Sequence, residues 1–236
     1  MVDVLAQLTK LRGAALDILF PQYCVGCGKE GSFICASCLQ SLPHLELPIC
    51  PRCGLPQHNG KLCASCRDWE AKIDGIRSPF RFDGVIRSAI HQLKYRNLRA
   101  IAPSLARLMS EYMSINDINA DLVVPIPLHH RRLRERGYNQ AALLARELAK
   151  LMGLPLDESS LVREKYVLPQ ARTKSVEERR ANVHGAFACH RDNMREKKVL
   201  LIDDVATSGA TMNSAALVLK SAGAAAVWGL ALAREI

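Results

Sequence analysis

The segment Val199–Thr211, VLLIDDVATSGAT, ends an apolar run on two adjacent carboxylates, Asp203 and Asp204, and then opens a stretch of small and hydroxyl residues. Ala206, Gly209 and Ala210 keep side chains out of the way, while Thr207, Ser208 and Thr211 offer hydroxyl donors. Where such a stretch joins a strand to a helix N-terminus, free amides and the positive end of the helix dipole favour an anion, and a terminal phosphate fits. Carboxylates repel phosphate, so the acid pair suits another part of the ligand: sugar hydroxyls, which donate to it, or a Mg2+ shell. A ligand with hydroxyls beside a terminal phosphate is a ribose 5-phosphate. Two other nucleotide loops are set aside, because neither G-x-x-x-x-G-K-[ST] nor G-x-G-x-x-G occurs in the chain.

A second chemistry sits near the N-terminus. Eight of the nine cysteines form four C-x-x-C pairs: Cys24/Cys27, Cys35/Cys38, Cys50/Cys53 and Cys63/Cys66. A C-x-x-C turn brings two thiolates to one ion, and zinc takes four in a tetrahedron, so the pattern predicts two closed, structural zinc sites. Sequential pairing, the first four cysteines on one ion and the last four on another, leaves short loops of similar length; interleaved pairing is the alternative. Disulfides suit an oxidising compartment, and a redox C-x-x-C is a single pair beside a βαβ unit. His44 and His58 read as loop histidines, and Cys189 as incidental.

A third feature is the basic loop PIPLHHRRLRERGYNQ, which gathers Arg131, Arg132, Arg134 and Arg136 ahead of a helix. Guanidinium forks match phosphate oxygens, and beside the phosphate cradle the loop reads as a pyrophosphate site. A solvated helix start or a nucleic-acid patch is the competing reading.

These residues need elements to hold them. IRSPFRF reads as a strand, GVIRSAIHQLKY as a helix, and Leu98, Ile101, Leu105 and Leu108 as the stripe of a second helix. DLVVPIP is a short buried strand, and NQAALLARELAKLMG a helix closed by Gly153. SSLVRE reads as a further strand. In VLLIDD, Val199 and Leu201 face one side and Leu200 and Ile202 the other, so both faces are covered. GATMNSAALVLKSAG and AAVWGLALA follow as a helix and a closing strand. Strands alternating with helices predict an α/β fold, a parallel sheet flanked by helices, with ligands at the carboxyl ends of its strands.

At 236 residues, 49% hydrophobic and 23% charged, the chain suits one α/β core with a small appendage. A net charge of +9 favours acidic partners such as phosphorylated metabolites, nucleic acid or anionic lipid. The first residues are interrupted by Asp3, Lys10, Arg12 and Asp17, which argues against a signal peptide and for an amphipathic helix. No run is long enough for a membrane span, and the expected compartment is the cytoplasm. The expected organisation is a helix over 1–20, a double zinc ribbon over 21–70 and an α/β domain over 71–236.

The string VLLIDDVATSGAT resembles the phosphoribosyl pyrophosphate (PRPP) signature of type I phosphoribosyltransferases. Together with LFPQYCVGCG, PIPLHHRRLRERGYNQ and LPQARTKSVEERRANV, it makes the chain similar to the ComF family of competence-associated proteins, from about Phe20 onward. That resemblance implies a type I phosphoribosyltransferase-like domain, PRPP with Mg2+, and a link to DNA uptake, with single-stranded DNA and a competence helicase as potential partners. It implies that Asp203 and Asp204 hold the ribose hydroxyls, directly or through Mg2+, and that Ala206 to Thr211 bind the 5-phosphate. Arg131, Arg134 and Arg136 become pyrophosphate candidates, and Arg172, Lys174 and Arg179 candidates on a mobile lid. Residues 76 to 100 or the zinc module are the expected hood over the acceptor. Two functions follow: phosphoribosyl transfer to an unidentified acceptor, or a non-catalytic PRPP-responsive module that binds DNA or a partner.

Overall fold

In a computed structural model the protein is described over residues 21–164, 185–190 and 194–236. The expected helix over 1–20 and the lid candidates Arg172, Lys174 and Arg179 lie outside the described residues. Two short helices, α1 (Ala36–Gln40) and α2 (Ala64–Arg67), belong to the two cysteine ribbons. They are followed by β1 (Gly75–Arg77), β2 (Phe80–Arg81), α3 (Gly84–Tyr95) and, after a turn of 3-10 helix, α4 (Ala102–Ile115). The chain continues through β3 (Leu122–Pro125), α5 (His130–Arg136), α6 (Gln140–Met152), β4 (Leu161–Arg163), β5 (Phe187–Cys189), β6 (Lys198–Ala206), α7 (Ala210–Ser221) and β7 (Ala226–Arg234).

The main sheet runs β1-β7-β6-β3, with β2 continuing beyond β1 along β7. Every pairing in it is parallel. IRSPFRF is therefore two short strands, split at Ser78 and Pro79; a proline has no amide to give a ladder. β1 and β2 belong to the sheet and α3 packs on it through Ile86, Ala89, Ile90 and Leu93, while Lys94 to Asn97 at its end stay partly or fully exposed. SSLVRE also departs from expectation: β4 leaves the main sheet and pairs antiparallel with β5 in a separate ribbon.

The alternation in β6 holds. Leu200 and Ile202 pack with α3, α4 and α6, whereas Val199 and Leu201 pack on the α7 side. The strand runs four residues beyond Ile202, because β7 continues to pair with it through Asp203, Val205 and Ala206. The helices end as their sequences dictate: Asn139 caps α6 through a bond from the Ala141 amide at 3.1 Å, and Gly153 closes it in the left-handed region at φ 65°. Among the described residues no helix is long and apolar enough to cross a membrane.

Candidate functional site

Asp203 and Asp204 stand near the carboxyl end of β6, beside the carboxyl end of β3, where parallel sheets place their ligands. Asp204, only 2% exposed, turns toward α3 and α6. There its Oδ2 forms an ion pair with Lys94 Nζ, and Gln140 Nε2 donates to its Oδ1 at 3.2 Å. Asp203 is half-buried beside it, its Oδ1 accepting from the Asp204 amide at 2.9 Å.

The two acids are held in different protonation regimes. Burial raises Asp203 well above the usual carboxylate range, and the neighbouring Asp204 charge raises it further. Burial acts in the same sense on Asp204, but the Lys94 ammonium outweighs it, with hydrogen bonds from Lys94, Asp203 and Gln140, and holds this carboxyl below its ordinary value. Lys94 is itself pushed down by burial and up, more strongly, by Asp204, so that the net shift is upward.

After Asp204 the chain needs two more strand residues before it turns. Ala206 is still paired with Arg234, and its carbonyl accepts from the Glu235 amide at 3.0 Å, so the open loop is Thr207 to Gly209. Gly209 enters α7 at φ 77°, and no side chain caps the helix. Ser208 Oγ lies 3.4 Å from the Ala210 amide, too long for a strong bond. The first turn of α7 therefore presents backbone donors, as an anion site requires. A β-carbon on Gly209 would lie 2.6 Å from Ile76 Cδ1, so any other residue would have to displace that methyl and would be strained at this φ.

The basic loop becomes α5, and it delivers its arginines unevenly. Arg136 donates to Gln140 Oε1 and lies 5.5 Å from the centre of the Tyr95 ring. Gln140 thus joins Arg136 to Asp204. Arg131 instead pairs with Glu135 at 3.1 Å on an open helix face, and Arg134 is exposed. Between α3 and α5 lies a cleft of about 460 Å3 lined by Lys94, Tyr95, Asn97, Arg132 and Arg136 among others. Lys94, Tyr95, Asn97 and Gln140 are additions to the expected site, and Arg132 comes from the loop already read as basic. Their signal, LKYRN at the end of an amphipathic helix, resembles an ordinary basic helix terminus.

A larger cavity of about 720 Å3 lies between the first ribbon and α4. It is apolar and holds neither acid nor any residue of the phosphate loop, so size does not mark the chemistry here.

Both cysteine tetrads assemble in sequential order, Cys24/27/35/38 and Cys50/53/63/66, with each set of sulfurs within 4.8 Å of one another. Four ligands at a Zn–S distance of about 2.3 Å stand about 3.8 Å apart in a tetrahedron. The Cys27–Cys35 and Cys53–Cys63 sulfurs are separated by 3.6 and 3.7 Å. Amides of Cys35 and Cys63 point at Cys24 and Cys50 sulfurs at 3.4 and 3.5 Å, as knuckle turns around a metal do. The residues present fit zinc, and the interleaved pairing is excluded.

Comparison with known proteins agrees with this division. The pattern of the double zinc ribbon domain matches residues 15–67, and that of the phosphoribosyl transferase domain matches residues 91–233. Competence protein F of Haemophilus influenzae is 30% identical over 212 residues, covering 85% of this chain and 90% of that protein. The chain belongs to the ComF family. Competence protein ComFC of Bacillus subtilis is 31% identical over 84% of this chain and 82% of its own length. The DNA utilization protein YhgH of Escherichia coli K12 is 28% identical over 86% and 91%. In this ComF protein the matched phosphoribosyl transferase segment contains the acid pair, the phosphate loop, α5 and Lys94.

Proposed function

We propose that this ComF protein binds PRPP with Mg2+ and transfers the phosphoribosyl group to an acceptor. The observation that carries the reading is the continuity of β6 into α7: an acid pair followed, five residues after Asp204, by an uncapped helix N-terminus entered through Gly209. The amides and hydroxyls of Thr207, Ser208 and Thr211 take the 5-phosphate, and Asp203 and Asp204 accept from the ribose hydroxyls. Bound Mg2+ would neutralise pyrophosphate oxygens and share the acid pair. Arg136, tethered to Asp204 through Gln140, reaches the pyrophosphate, with Arg132 and Lys94 in the same cleft. The acceptor nucleophile forms its bond to the ribose anomeric carbon as the carbon–oxygen bond to pyrophosphate breaks. Pyrophosphate leaves with that electron pair, and the proton of the acceptor passes to solvent. The chain's task is alignment and charge neutralisation of the leaving group.

The exposed arginines favour a second reading. Arg131 and Arg134 face solvent on α5, away from the Asp204 contacts, and relatives carry the names competence protein and DNA utilization protein. On this reading PRPP regulates the binding of single-stranded DNA or a partner such as a helicase, and no transfer occurs.

Isothermal titration of the zinc-loaded protein with PRPP and Mg2+, beside an Asp203→Asn/Asp204→Asn variant, tests the shared premise. Heat is expected from the first protein and none from the second; no heat from the first overturns the site. Pyrophosphate release across an acceptor panel that includes DNA then separates the readings. Release supports transfer, and salt-sensitive DNA binding without release supports the second.

A further inference from the structure

The two cysteine ribbons have different neighbours. The first packs through Cys24, Ile34, Cys38 and Leu42 into the α3 and α4 side of the core. The second reaches the phosphate loop, and it does so through one residue of its own first knuckle, Arg52.

Arg52 lies between Pro51 and Cys53. Its Nη1 donates to the Cys66 carbonyl at 3.0 Å and to the Trp69 carbonyl at 2.6 Å, which fixes the chain leaving the ribbon. Its own carbonyl accepts from the Ile76 amide at 2.7 Å, which fixes β1. Trp69 and Ile76 are the two side chains nearest Gly209: a β-carbon there would meet Ile76 Cδ1 at 2.6 Å and Trp69 Cη2 at 3.4 Å. The Trp69 ring packs on the four cysteines of the second tetrad as well. Both walls of the turn that opens the phosphate loop are therefore held by one knuckle residue.

Charge gives the same tie a second strand. Arg234 pairs with Ala206 at the base of the loop and is only 1% exposed. Its Nε and Nη1 are buried with no hydrogen-bond partner among the described residues. A cation so placed is costly unless an anion compensates it. All four sulfurs of the second tetrad lie within electrostatic reach of it, and Arg77, anchored on the Pro51 carbonyl at 2.9 Å, feels Cys50 and Cys53. Zinc held by four thiolates carries a net charge of about −2. Two arginines balance it.

We infer that the second zinc ribbon, through Arg52 and Trp69, positions the phosphate loop, so that sugar-phosphate binding depends on zinc at Cys50/53/63/66 and not on zinc at Cys24/27/35/38. The inference rests on the proposed phosphate site for its ligand, but the mechanical tie is measurable without one. Hydrogen exchange of peptides covering 206–212 is followed in the full-length, zinc-loaded protein. The variants are Trp69→Ala, Trp69→Phe and Cys35→Ser, with zinc content counted for each.

In Trp69→Ala, with both zinc ions retained, exchange in 206–212 rises about tenfold, the response to roughly 1.4 kcal/mol of lost local stability. Trp69→Phe, which keeps a ring against Gly209, restores most of the protection. Cys35→Ser, short of the first zinc, leaves these peptides unchanged. Graded chelation of wild type supplies the remaining arm: 206–212 loses protection as the second zinc leaves. Unchanged exchange in Trp69→Ala, or equal loss in Cys35→Ser, overturns the inference. Absence of PRPP binding by wild type would sink the ligand assignment and leave the exchange result standing on its own.

Discussion

Lys94 and Asp204 form an ion pair in which the carboxylate is almost wholly buried, and the lysine comes from a helix on one face of the sheet while the aspartate comes from its central strand. The pair turns one of two adjacent acids inward and leaves Asp203 as the acid with the unusual proton affinity.

Removing Lys94 should leave a buried carboxylate uncompensated. Lys94→Ala is expected to cost about 3–5 kcal/mol in urea denaturation. Asp204 has a depressed pKa, so its contribution is present above the ordinary carboxylate range and is lost as pH falls through the folded value. Lys94 has a raised pKa, so its contribution is complete below the ordinary lysine value and is lost only as pH rises through the folded one. The cost should be flat across neutral pH and shrink only at the acid and alkaline ends.

Asp203 works in the opposite sense. Its raised pKa means that ionisation costs stability once pH exceeds the ordinary carboxylate value, and the cost grows until pH reaches the folded value. Asp203→Asn should therefore be more stable than wild type near neutrality, with the gain vanishing in acid. The same substitution should abolish PRPP and Mg2+ binding by titration. A stable variant that no longer binds separates a site residue from a structural one.

The arginines of α5 should divide. Arg136→Ala, which removes the tether to Gln140 and Asp204, is expected to weaken pyrophosphate or PRPP binding by about ten- to a hundredfold, the range of a lost charge-assisted contact. Arg131→Ala breaks only an exposed pair with Glu135 and should change binding less than about threefold. Equal losses at both positions would argue for a diffuse electrostatic site.

Elemental analysis should count two zinc ions per chain, and chelation should release thiols from both tetrads while the α/β domain keeps its far-UV signal. Sequential pairing leaves one zinc in Cys27→Ser/Cys35→Ser and one in Cys53→Ser/Cys63→Ser, whereas interleaved pairing would lose both ions in each double variant.

Much of the fold is written locally. The period-2 alternation of Val199 to Ile202 places each side chain against its own helical layer, and Asn139 and Gly153 mark both ends of α6. The two neighbouring acids read naturally as one unit, yet their protonation differs, because Lys94 pairs with Asp204. Lys94 is harder to find, because a lysine in the last turn of a helix already complements the dipole and only tertiary packing brings it to Asp204. SSLVRE has strand composition, but its partner, Phe187–Cys189, is a non-local choice that no property of the six residues expresses. Residues 76 to 82 mislead through Pro79, since what reads as one strand is two on one neighbour. The role of Arg52 is hidden most completely: inside a C-x-x-C turn any intervening residue satisfies the metal, and what this one holds lies outside the ribbon.

The β4–β5 ribbon hydrogen-bonds as its own two-stranded sheet, apart from the parallel ladder that carries the acid pair. Insertions or deletions between its strands leave the register of β3, β6 and β7 intact. The ladder that holds the end of β6 can therefore be inherited unchanged while the ribbon beside it, whose Arg163 lies within electrostatic reach of Asp203, diversifies.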